Sequence, residues 1–308
     1  MLAAVPAHTQ PAPPPEVEAD EEADWQALRE AYDTYVEARN DENLEAVLKA
    51  ARHYLDGSPE PGRRTETALG FALQVLERFE RFEKVLELCD KWEPTLPEQD
   101  TFRIALRVYR GKAHAHLGNV EEATEAVHVL RNMRIDEDEL ARFVQHALFE
   151  IERILKLRPG SEPPAFELAR LDNQEHTVPS EALFGDERYV LLLFWTSWCG
   201  KCRDLMTEEL ASLQRRSGDE AFELVSVGLN WRDSAEAQRK AVAEAEATWT
   251  HLYDSTSEVA SDYGVRHVPF LLLVDPEGRT AHAGTAFRVL ERIQDTLAKA
   301  FDDEANED

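Results

Sequence analysis

Two patterns of hydrophobic and polar positions divide the chain. Over residues 25–157 apolar positions recur at helical spacing and glycines are few, which predicts an all-α domain. Over residues 165–301 short apolar runs alternate with amphipathic segments, which is typical of an α/β domain with helices packed on a sheet. Between the two, residues 158–164 carry three prolines and a glycine, and we interpret them as a linker.

A motif recurs at a fixed interval in the helical half. Similar segments begin at Asn43, Arg81 and Asn119, which are 38 residues apart each time. Each segment follows a polar turn and is predicted to begin the second helix of a helical pair. This period is typical of helical solenoids, whose repeats stack on their neighbours.

The copy over residues 105–133 resembles a tetratricopeptide repeat. It matches that repeat at Ala113, Leu117-Gly118 and Glu122-Ala123. We therefore predict a tetratricopeptide-like array of about three repeats, closed by a helix over 137–157.

The α/β half is predicted to contain four short strands, over 189–195, 222–229, 270–274 and 279–283. Amphipathic spacing predicts helices over 201–216, 234–247, 255–263 and 287–301. The run 189–195 contains no proline, glycine or charge, as expected of a buried parallel strand.

Two cysteines lie at the junction between the first of these strands and the helix that follows it. Cys199 and Cys202 are three residues apart, so their sulfurs can join across one helical turn. The thiolate is the reactive form of cysteine, and a helix N-terminus stabilises negative charge on the first sulfur. We interpret the pair as a two-electron switch. The third cysteine, Cys89, lies alone in a helical pattern and is interpreted as a buried core residue.

Composition narrows the classes of partner. The chain has 61 acidic and 34 basic residues, and its net charge of −27 would repel nucleic acids and anionic membranes. Three cysteines are too few for a disulfide-rich secreted scaffold. No part of the sequence approaches the ~18 consecutive apolar residues of a membrane span. We therefore expect polypeptide partners, no nucleic acid and no membrane span.

Both ends of the chain differ from the two domains. Residues 1–24 are Pro-rich and then acidic, and residues 302–308 form an acidic tail. Val5-Pro6-Ala7 has the small-x-small pattern of a signal-peptidase site, although a charged region and a full apolar run are missing. Two interpretations stay open: a disordered leader on a cytoplasmic protein, or the remainder of a longer export signal, which favours a periplasmic or cell-envelope location.

Four further motifs occur in a recognisable order. They are Phe194-Trp195-Thr196-Ser197-Trp198-Cys199-Gly200-Lys201-Cys202, Leu252-Tyr253-Asp254, Tyr263-Gly264-Val265-Arg266-His267-Val268-Pro269 and Leu273-Val274-Asp275-Pro276-Glu277-Gly278-Arg279, followed by Gly284. Through them residues 165–301 resemble the thioredoxin fold, and within it the TlpA/ResA-like branch of bacterial thiol–disulfide oxidoreductases. The strand-and-helix stretch over 225–250 fits the insertion that this branch carries.

The resemblance implies a role for each residue of the site. Cys199 would be the nucleophile that attacks a substrate disulfide, and Cys202 would resolve the mixed disulfide. Pro269 would be a cis-proline facing the pair, and the peptide at Val268 would offer edge hydrogen bonds to an incoming polypeptide. Trp198 and Val268 would form an apolar platform under the substrate, and Gly200 completes the active-site turn.

Two positions depart from the usual pattern of the family. Leu193 stands where typical thioredoxins have a buried aspartate that helps to deprotonate the resolving cysteine. Either Glu208 or Glu209 replaces it through water, or resolution is slow. Lys201 stands where proline is frequent. It either stabilises the thiolate and makes the couple more oxidising, or is a solvated side chain whose effect is below ~1 kcal/mol, which we favour.

Three other interpretations remain for the cysteine pair. It could be half of a zinc site with His267 as a third ligand, although zinc favours four ligands. Thr196 has the spacing to Cys199 that peroxiredoxins have, but Leu192 stands where that family has proline. The domain could also be a non-catalytic adaptor on a helical scaffold. His251 and His267 are interpreted as bystanders and not as acid–base groups.

Together these observations predict an enzyme, a thiol–disulfide oxidoreductase that exchanges its Cys199–Cys202 dithiol or disulfide with protein substrates and acts as a reductant. We expect it to use no cofactor and no metal, and to depend on an upstream electron donor. The helical domain is expected to dock a protein partner or to self-associate.

Overall fold

The computed structural model describes residues 19–57, 62–98, 100–185, 187–216 and 222–304. The chain forms two compact units, Met1–Ala113 and His114–Asp308. Of the predicted leader, residues 1–18 lie outside the described residues, and residues 19–24 belong to the first helix. The predicted acidic tail likewise starts inside the last helix, and residues 305–308 lie outside the described part.

The first unit is helical. Its helices are α1 (Ala19–Glu37), α2 (Asp41–Gly57), α3 (Arg63–Arg78), α4 (Phe82–Trp92) and most of α5 (Thr101–His116). Helix α1 packs on α2, α2 on α3 and α3 on α4. Apolar side chains spaced three or four apart, such as Leu69, Leu73 and Leu76 of α3, are buried between them.

Helices follow the three predicted polar turns. Helices α4 and α6 (Val120–Asn132) begin directly after their turns, and α2 begins at Asp41, the second residue of the first turn. Of the predicted helical pairs, α1 packs on α2 and α3 packs on α4. Gly118 ends α5 with φ +76°, a backbone conformation that glycine adopts without strain. The Asn119 N–H then donates to the His114 carbonyl at 2.9 Å, which closes the helix end.

The prediction for Cys89 is also confirmed. Its side chain is fully buried, and its thiol donates to the Leu106 carbonyl with a sulfur–oxygen distance of 3.4 Å. Burial raises the pKa of this thiol to about 12. Cys89 is therefore an unreactive thiol of the core at physiological pH.

The second unit contains α6, α7 (Asp138–Lys156) and a seven-stranded mixed sheet of order β2-β1-β5-β4-β3-β6-β7. Its strands are β1 (Glu167–Arg170), β2 (Thr177–Pro179), β3 (Tyr189–Trp195), β4 (Phe222–Leu229), β5 (Thr250–Asp254), β6 (Phe270–Val274) and β7 (Thr280–Thr285). Its other helices are α8 (Gly200–Leu205), α9 (Ala211–Arg216), α10 (Ala235–Glu244), α11 (Glu258–Asp262) and α12 (Ala286–Glu304), with a π-helical segment, Met206–Leu210, between α8 and α9.

The central strand β3 places the site. It runs parallel to β4 and antiparallel to β6, with Phe194 opposite Phe270. Alternate side chains enter two cores: Leu193 and Trp195 lie in the core that contains the cysteine pair, and Leu192 lies in the core on the opposite face. The carboxyl end of β3 and the amino end of β6 therefore lie at the same edge of the sheet.

The strands with the strongest apolar runs, β3, β4 and β6, have the predicted bounds. Strands β1, β2 and β5 were not predicted. The first two have only four and three residues, and β5 includes a histidine and an aspartate, so none of the three forms a continuous apolar run.

The two compact units divide at Ala113, whereas the sequence pattern changes at 158–164. The last helix before that segment, α7, packs on the α/β part: the Lys156 ammonium donates to the Asp262 carbonyl at 2.7 Å. The segment itself pairs with the start of β7, because the Gly160 N–H donates to the Thr280 carbonyl at 2.8 Å. A break in periodicity marks the end of a helix, but it does not reveal what that helix packs against.

Within the described ranges, no helix combines the length and the apolar character that crossing a bilayer requires.

Candidate active site

The cysteine pair lies where β3 passes into α8. Cys199 is the N-cap residue of α8, and a disulfide joins it to Cys202, with 5.2 Å between the two Cα atoms. The structure thus represents the oxidised state. Cys199 is 8% exposed and Cys202 is fully buried, so an incoming substrate can reach only the first sulfur.

The backbone around Cys199 favours negative charge on its sulfur. The Cys202 N–H donates to Cys199 Sγ at 3.1 Å, and the other N–H groups of the first turn of α8 point toward the same end. Donors of this kind stabilise a thiolate more than a neutral thiol. This geometry fits the role of nucleophile that the resemblance implies for Cys199.

Cys202 lies in an apolar core. The buried hydrophobic cluster that contains it includes Leu193, Trp195, Leu205 and Met206. Leu193 is fully buried in the place of the usual aspartate, so a Cys202 thiolate would form in an apolar environment, which disfavours charge. Glu208 is exposed and Glu209 half-buried on the π-helical segment, and their role through water stays a prediction.

The Val268–Pro269 peptide bond is cis, as the resemblance implies. Pro269 directly precedes β6, at the sheet edge where β3 ends. Its carbonyl accepts the Ala286 N–H at 3.0 Å, which also brings the start of α12 to this edge. Val268 is half-buried and packs against both cores. The Val268–Pro269 segment is therefore fixed by the hydrogen bond from Ala286 and by packing of Val268 against the two cores.

Two exposed aromatic rings lie at this edge. Trp198 is 57% exposed, and its indole Nε1 donates to the Trp231 carbonyl at 2.8 Å. Phe287, at the start of α12, is 82% exposed and was not singled out in the sequence. Large exposed apolar side chains around a reactive group form a surface suited to a polypeptide. Gly200 and Lys201 open the first turn of α8, where both are exposed.

Sequence reasoning missed Asp233, which holds the loop before Cys199. Its carboxylate accepts the Ser197 N–H and the Ser197 hydroxyl, both at 2.6 Å. It also accepts the Gln238 amide at 3.0 Å and the Ser234 N–H at 2.9 Å. Four donors to one carboxylate fix its position. The negative charge of Asp233 is thereby held at Ser197, which precedes Cys199 by two residues.

One sequence signal pointed to this arrangement. Gly228 interrupts the apolar pattern of β4, and a glycine within a strand often marks a close approach. A Cβ atom there would lie 1.7 Å from Gln238 Oε1, so only glycine leaves room for this fully buried side chain. Gln238 Nε2 donates to the Leu229 carbonyl at 2.8 Å and to Asp233. The glycine therefore supports the Asp233 contact indirectly.

We expect Asp233→Asn to make the redox couple more oxidising. The substitution removes a negative charge that disfavours the Cys199 thiolate, so it stabilises the reduced protein. A change of about 1 kcal/mol corresponds to a potential roughly 20 mV less negative. The potential is measured by equilibration with glutathione. Asp295→Asn removes the same charge from an exposed site on α12 and is expected to leave the potential unchanged. Equal shifts in both variants would contradict a local effect of Asp233.

The structure shows the surroundings of the two histidines that were interpreted as bystanders. His251 Nε2 donates to the Ala247 carbonyl at 3.3 Å, so its Nδ1 accepts the hydroxyl of Ser226. Burial lowers the pKa of His251 to about 4, so the ring is neutral at physiological pH. His267 is exposed.

Among the residues that the structure describes, no group of three or more His, Cys, Asp or Glu side chains lies close enough together to bind a metal ion.

The chain was compared with known protein families, proteins and structures. A sequence model of the AhpC/TSA family matches residues 159–283. Thiol:disulfide interchange protein HelX of Rhodobacter capsulatus is 31% identical over 148 residues, which are 46% of this chain and 79% of that protein. Thiol-disulfide oxidoreductase ResA of Geobacillus thermodenitrificans is 29% identical over 143 residues, 45% of this chain and 75% of that protein.

A solved thioredoxin domain of a thiol-disulfide oxidoreductase from Bacteroides vulgatus is 25% identical and covers 46% of this chain and 99% of its own, with a TM-score of 0.39. The cysteine pair, the cis-proline and the order of strands lie in the α/β part of this chain. With the identity to HelX, they show that the chain belongs to the thioredoxin-like family of thiol–disulfide oxidoreductases.

Proposed function

We propose that this thiol–disulfide oxidoreductase is a reductase of protein disulfides. The observation that carries disulfide exchange is the asymmetry of the pair: Cys199 is the more exposed residue and caps a helix N-terminus, and Cys202 is fully buried in an apolar core. Such a pair reacts with a substrate through Cys199 and closes internally through Cys202. The two cysteines carry out both steps, and we propose that no bound cofactor is needed.

The exchange balances in two steps. The Cys199 thiolate attacks one sulfur of a substrate disulfide, so that a mixed disulfide forms and the other substrate sulfur leaves as a thiolate and takes up a proton. The Cys202 thiolate then attacks Cys199 Sγ, which forms the internal disulfide and releases the second substrate thiol. The substrate gains two electrons and the protein loses two. A dithiol donor must restore the reduced protein.

Charge near the nucleophile supports the reducing direction. The Asp233 carboxylate lies beside the loop that leads to Cys199, and a negative charge there disfavours the thiolate and with it the reduced protein. A destabilised dithiol gives up electrons more readily. Two groups oppose this effect: the Cys202 N–H, which donates to Cys199 Sγ, and Lys201, which is exposed, where an ion pair is worth less than ~1 kcal/mol.

A polypeptide substrate suits the surface around the pair. The Val268 peptide lies at the edge of the site beside the cis bond, where an extended segment can add its own backbone hydrogen bonds. Trp198 and Phe287 flank this edge with exposed rings. Of the two locations considered for Val5-Pro6-Ala7 we propose the cell envelope, because the similar proteins include the bacterial thiol:disulfide interchange proteins HelX and DsbE.

The test measures both direction and rate. The purified protein is expected to accelerate the reduction of insulin disulfides by dithiothreitol, followed as the turbidity of the released chain. Its potential against glutathione is expected to be more negative than about −200 mV, on the side of known reductants. A potential near −120 mV, typical of a strong oxidant, would overturn the proposed direction while leaving disulfide exchange intact.

Peroxide reduction is the second candidate, because the matching family description is AhpC/TSA and the Thr196 hydroxyl is buried beside the loop, without a hydrogen-bond partner among the described residues. Cys199 would break the O–O bond, become a sulfenic acid and release water; Cys202 would then form the disulfide and release a second water. Consumption of hydrogen peroxide faster than reduction of insulin would favour this candidate.

A further inference from the structure

Helix α7 is built into the catalytic unit. A Cβ atom at Gly264 would lie 2.6 Å from Arg153 Cγ, so the stem of Arg153 rests directly on the backbone there. The Arg153 guanidinium also lies 5.8 Å from the centre of the Phe270 ring. With the contact of Lys156 to Asp262, these contacts fix α7 against the segment that leads to Pro269.

An open groove lies between α7 and that segment. Its volume is about 420 Å³, which is within the range of ligand sites and leaves room for a few side chains of a bound peptide. It is lined by Phe149, Trp231, Ser257, Ser261, Val265 and Arg266. Only Phe149 comes from α7, which lies outside the residues matched by the family model. One wall of the groove thus comes from outside the family match.

The groove continues the surface around the cysteine pair. Trp231, which lines it, accepts the indole N–H of Trp198, the residue before Cys199. On its other side Arg266 precedes the cis-proline by three residues. A polypeptide whose cysteine reaches Cys199 can therefore extend into the groove without leaving the protein surface.

A single cation defines the polarity of the groove. The Arg266 guanidinium stacks on the Phe149 ring at 3.5 Å from its centre. Arg266 is exposed, and within the part of the chain that the structure describes no carboxylate lies at ion-pairing distance from its guanidinium. In a chain with a net charge of −27, an arginine that lies over an aromatic ring and has no carboxylate partner can pair with an external carboxylate.

We propose that this groove binds the segment flanking the reactive cysteine of a protein substrate and selects segments that carry Asp or Glu. The carboxylate pairs with Arg266, and neighbouring apolar groups pack on Phe149 and Trp231. The proposal rests on the proposed reduction of protein disulfides and adds a substrate preference to it. Helix α7 then contributes to substrate choice through the wall that it supplies.

The test compares two synthetic peptides, each closed by one disulfide and identical except for two Glu or two Lys beside the first cysteine. Pre-reduced protein is mixed with each peptide in 0.15 M salt, and the second-order rate constant is followed by Trp fluorescence. Salt at this concentration screens the distant charges of the chain. The measured quantity is the ratio of the rate constants for the Glu and Lys peptides.

Arg266→Glu is expected to lower this ratio about tenfold, because an exposed pair is worth up to roughly fivefold and its reversal adds repulsion. Arg266→Gln is expected to lower it about threefold and decides the result if the Glu variant does not fold. The matched control is Arg215→Glu, which makes an equal charge change at an exposed position near the end of α9. It is expected to change the ratio less than twofold.

The outcomes separate the two proposals. If the wild-type protein reduces neither peptide, the proposed reductase function fails. If it reduces both and the folded Arg266 variants keep the wild-type ratio, the docking proposal fails while the function stands. A fall in the ratio that Arg215→Glu reproduces would assign the preference to the overall charge and would also overturn the groove.

Discussion

Cys199→Ser is expected to abolish disulfide exchange, with a rate of insulin reduction at least about a thousandfold below that of the wild-type protein. Cys199 is 8% exposed and Cys202 is fully buried, and Cys199 Sγ accepts the backbone N–H of Cys202, so Cys199 combines the greater access with a stabilised thiolate. A serine hydroxyl in this place is not ionised at neutral pH and cannot form a disulfide. The buried Cys202 cannot replace it without local unfolding.

Cys202→Ser is expected to have a different effect. Its Cys199 still attacks, but no second thiolate closes the cycle, so mixed disulfides with protein substrates accumulate. They are measured by non-reducing electrophoresis and identified by mass spectrometry. Cys89→Ala is the matched control, because Cys89 lies buried in the helical unit and exchange should continue. Full activity in Cys199→Ser, or normal turnover in Cys202→Ser, would contradict the assigned roles.

The parts of the fold that could be predicted are those with a local signature. The apolar run of β3 and the spacing of Cys199 and Cys202 are both visible within a few residues. The cis bond before Pro269 was predicted because the resemblance carried it. The strand and the cysteine spacing depend on near neighbours in the chain, so a local pattern is enough to predict them.

The contacts that hold the site could not be predicted in the same way. Asp233 and Ser197 are 36 residues apart, and the hydrogen bonds between them follow no periodicity. Arg153 and Gly264 meet across more than a hundred residues, and neither residue type announces the other. Gly264 was read only as part of a family motif. In the structure the stem of Arg153 from α7 packs directly on the Gly264 backbone.

This contact gives the largest expected effect on stability. Gly264→Ala is expected to lower the free energy of unfolding by roughly 3 kcal/mol, from two causes. Gly264 has φ +60°, where an L-residue is strained by about 1–2 kcal/mol. The new Cβ would also overlap the stem of Arg153, which is pinned by its contact with Phe270, so relief requires α7 to move away. Denaturant unfolding followed by circular dichroism measures the change.

Gly160→Ala separates the two causes. Gly160 has φ +81°, but no atom lies within 4 Å of its would-be Cβ, so this variant carries the backbone strain without the overlap. It is expected to cost only about 1–2 kcal/mol. The difference between the variants then measures the packing of α7 on the segment before Pro269. Equal losses would mean that α7 yields freely, and a helix that yields freely could not hold Phe149 as the wall of a selective groove.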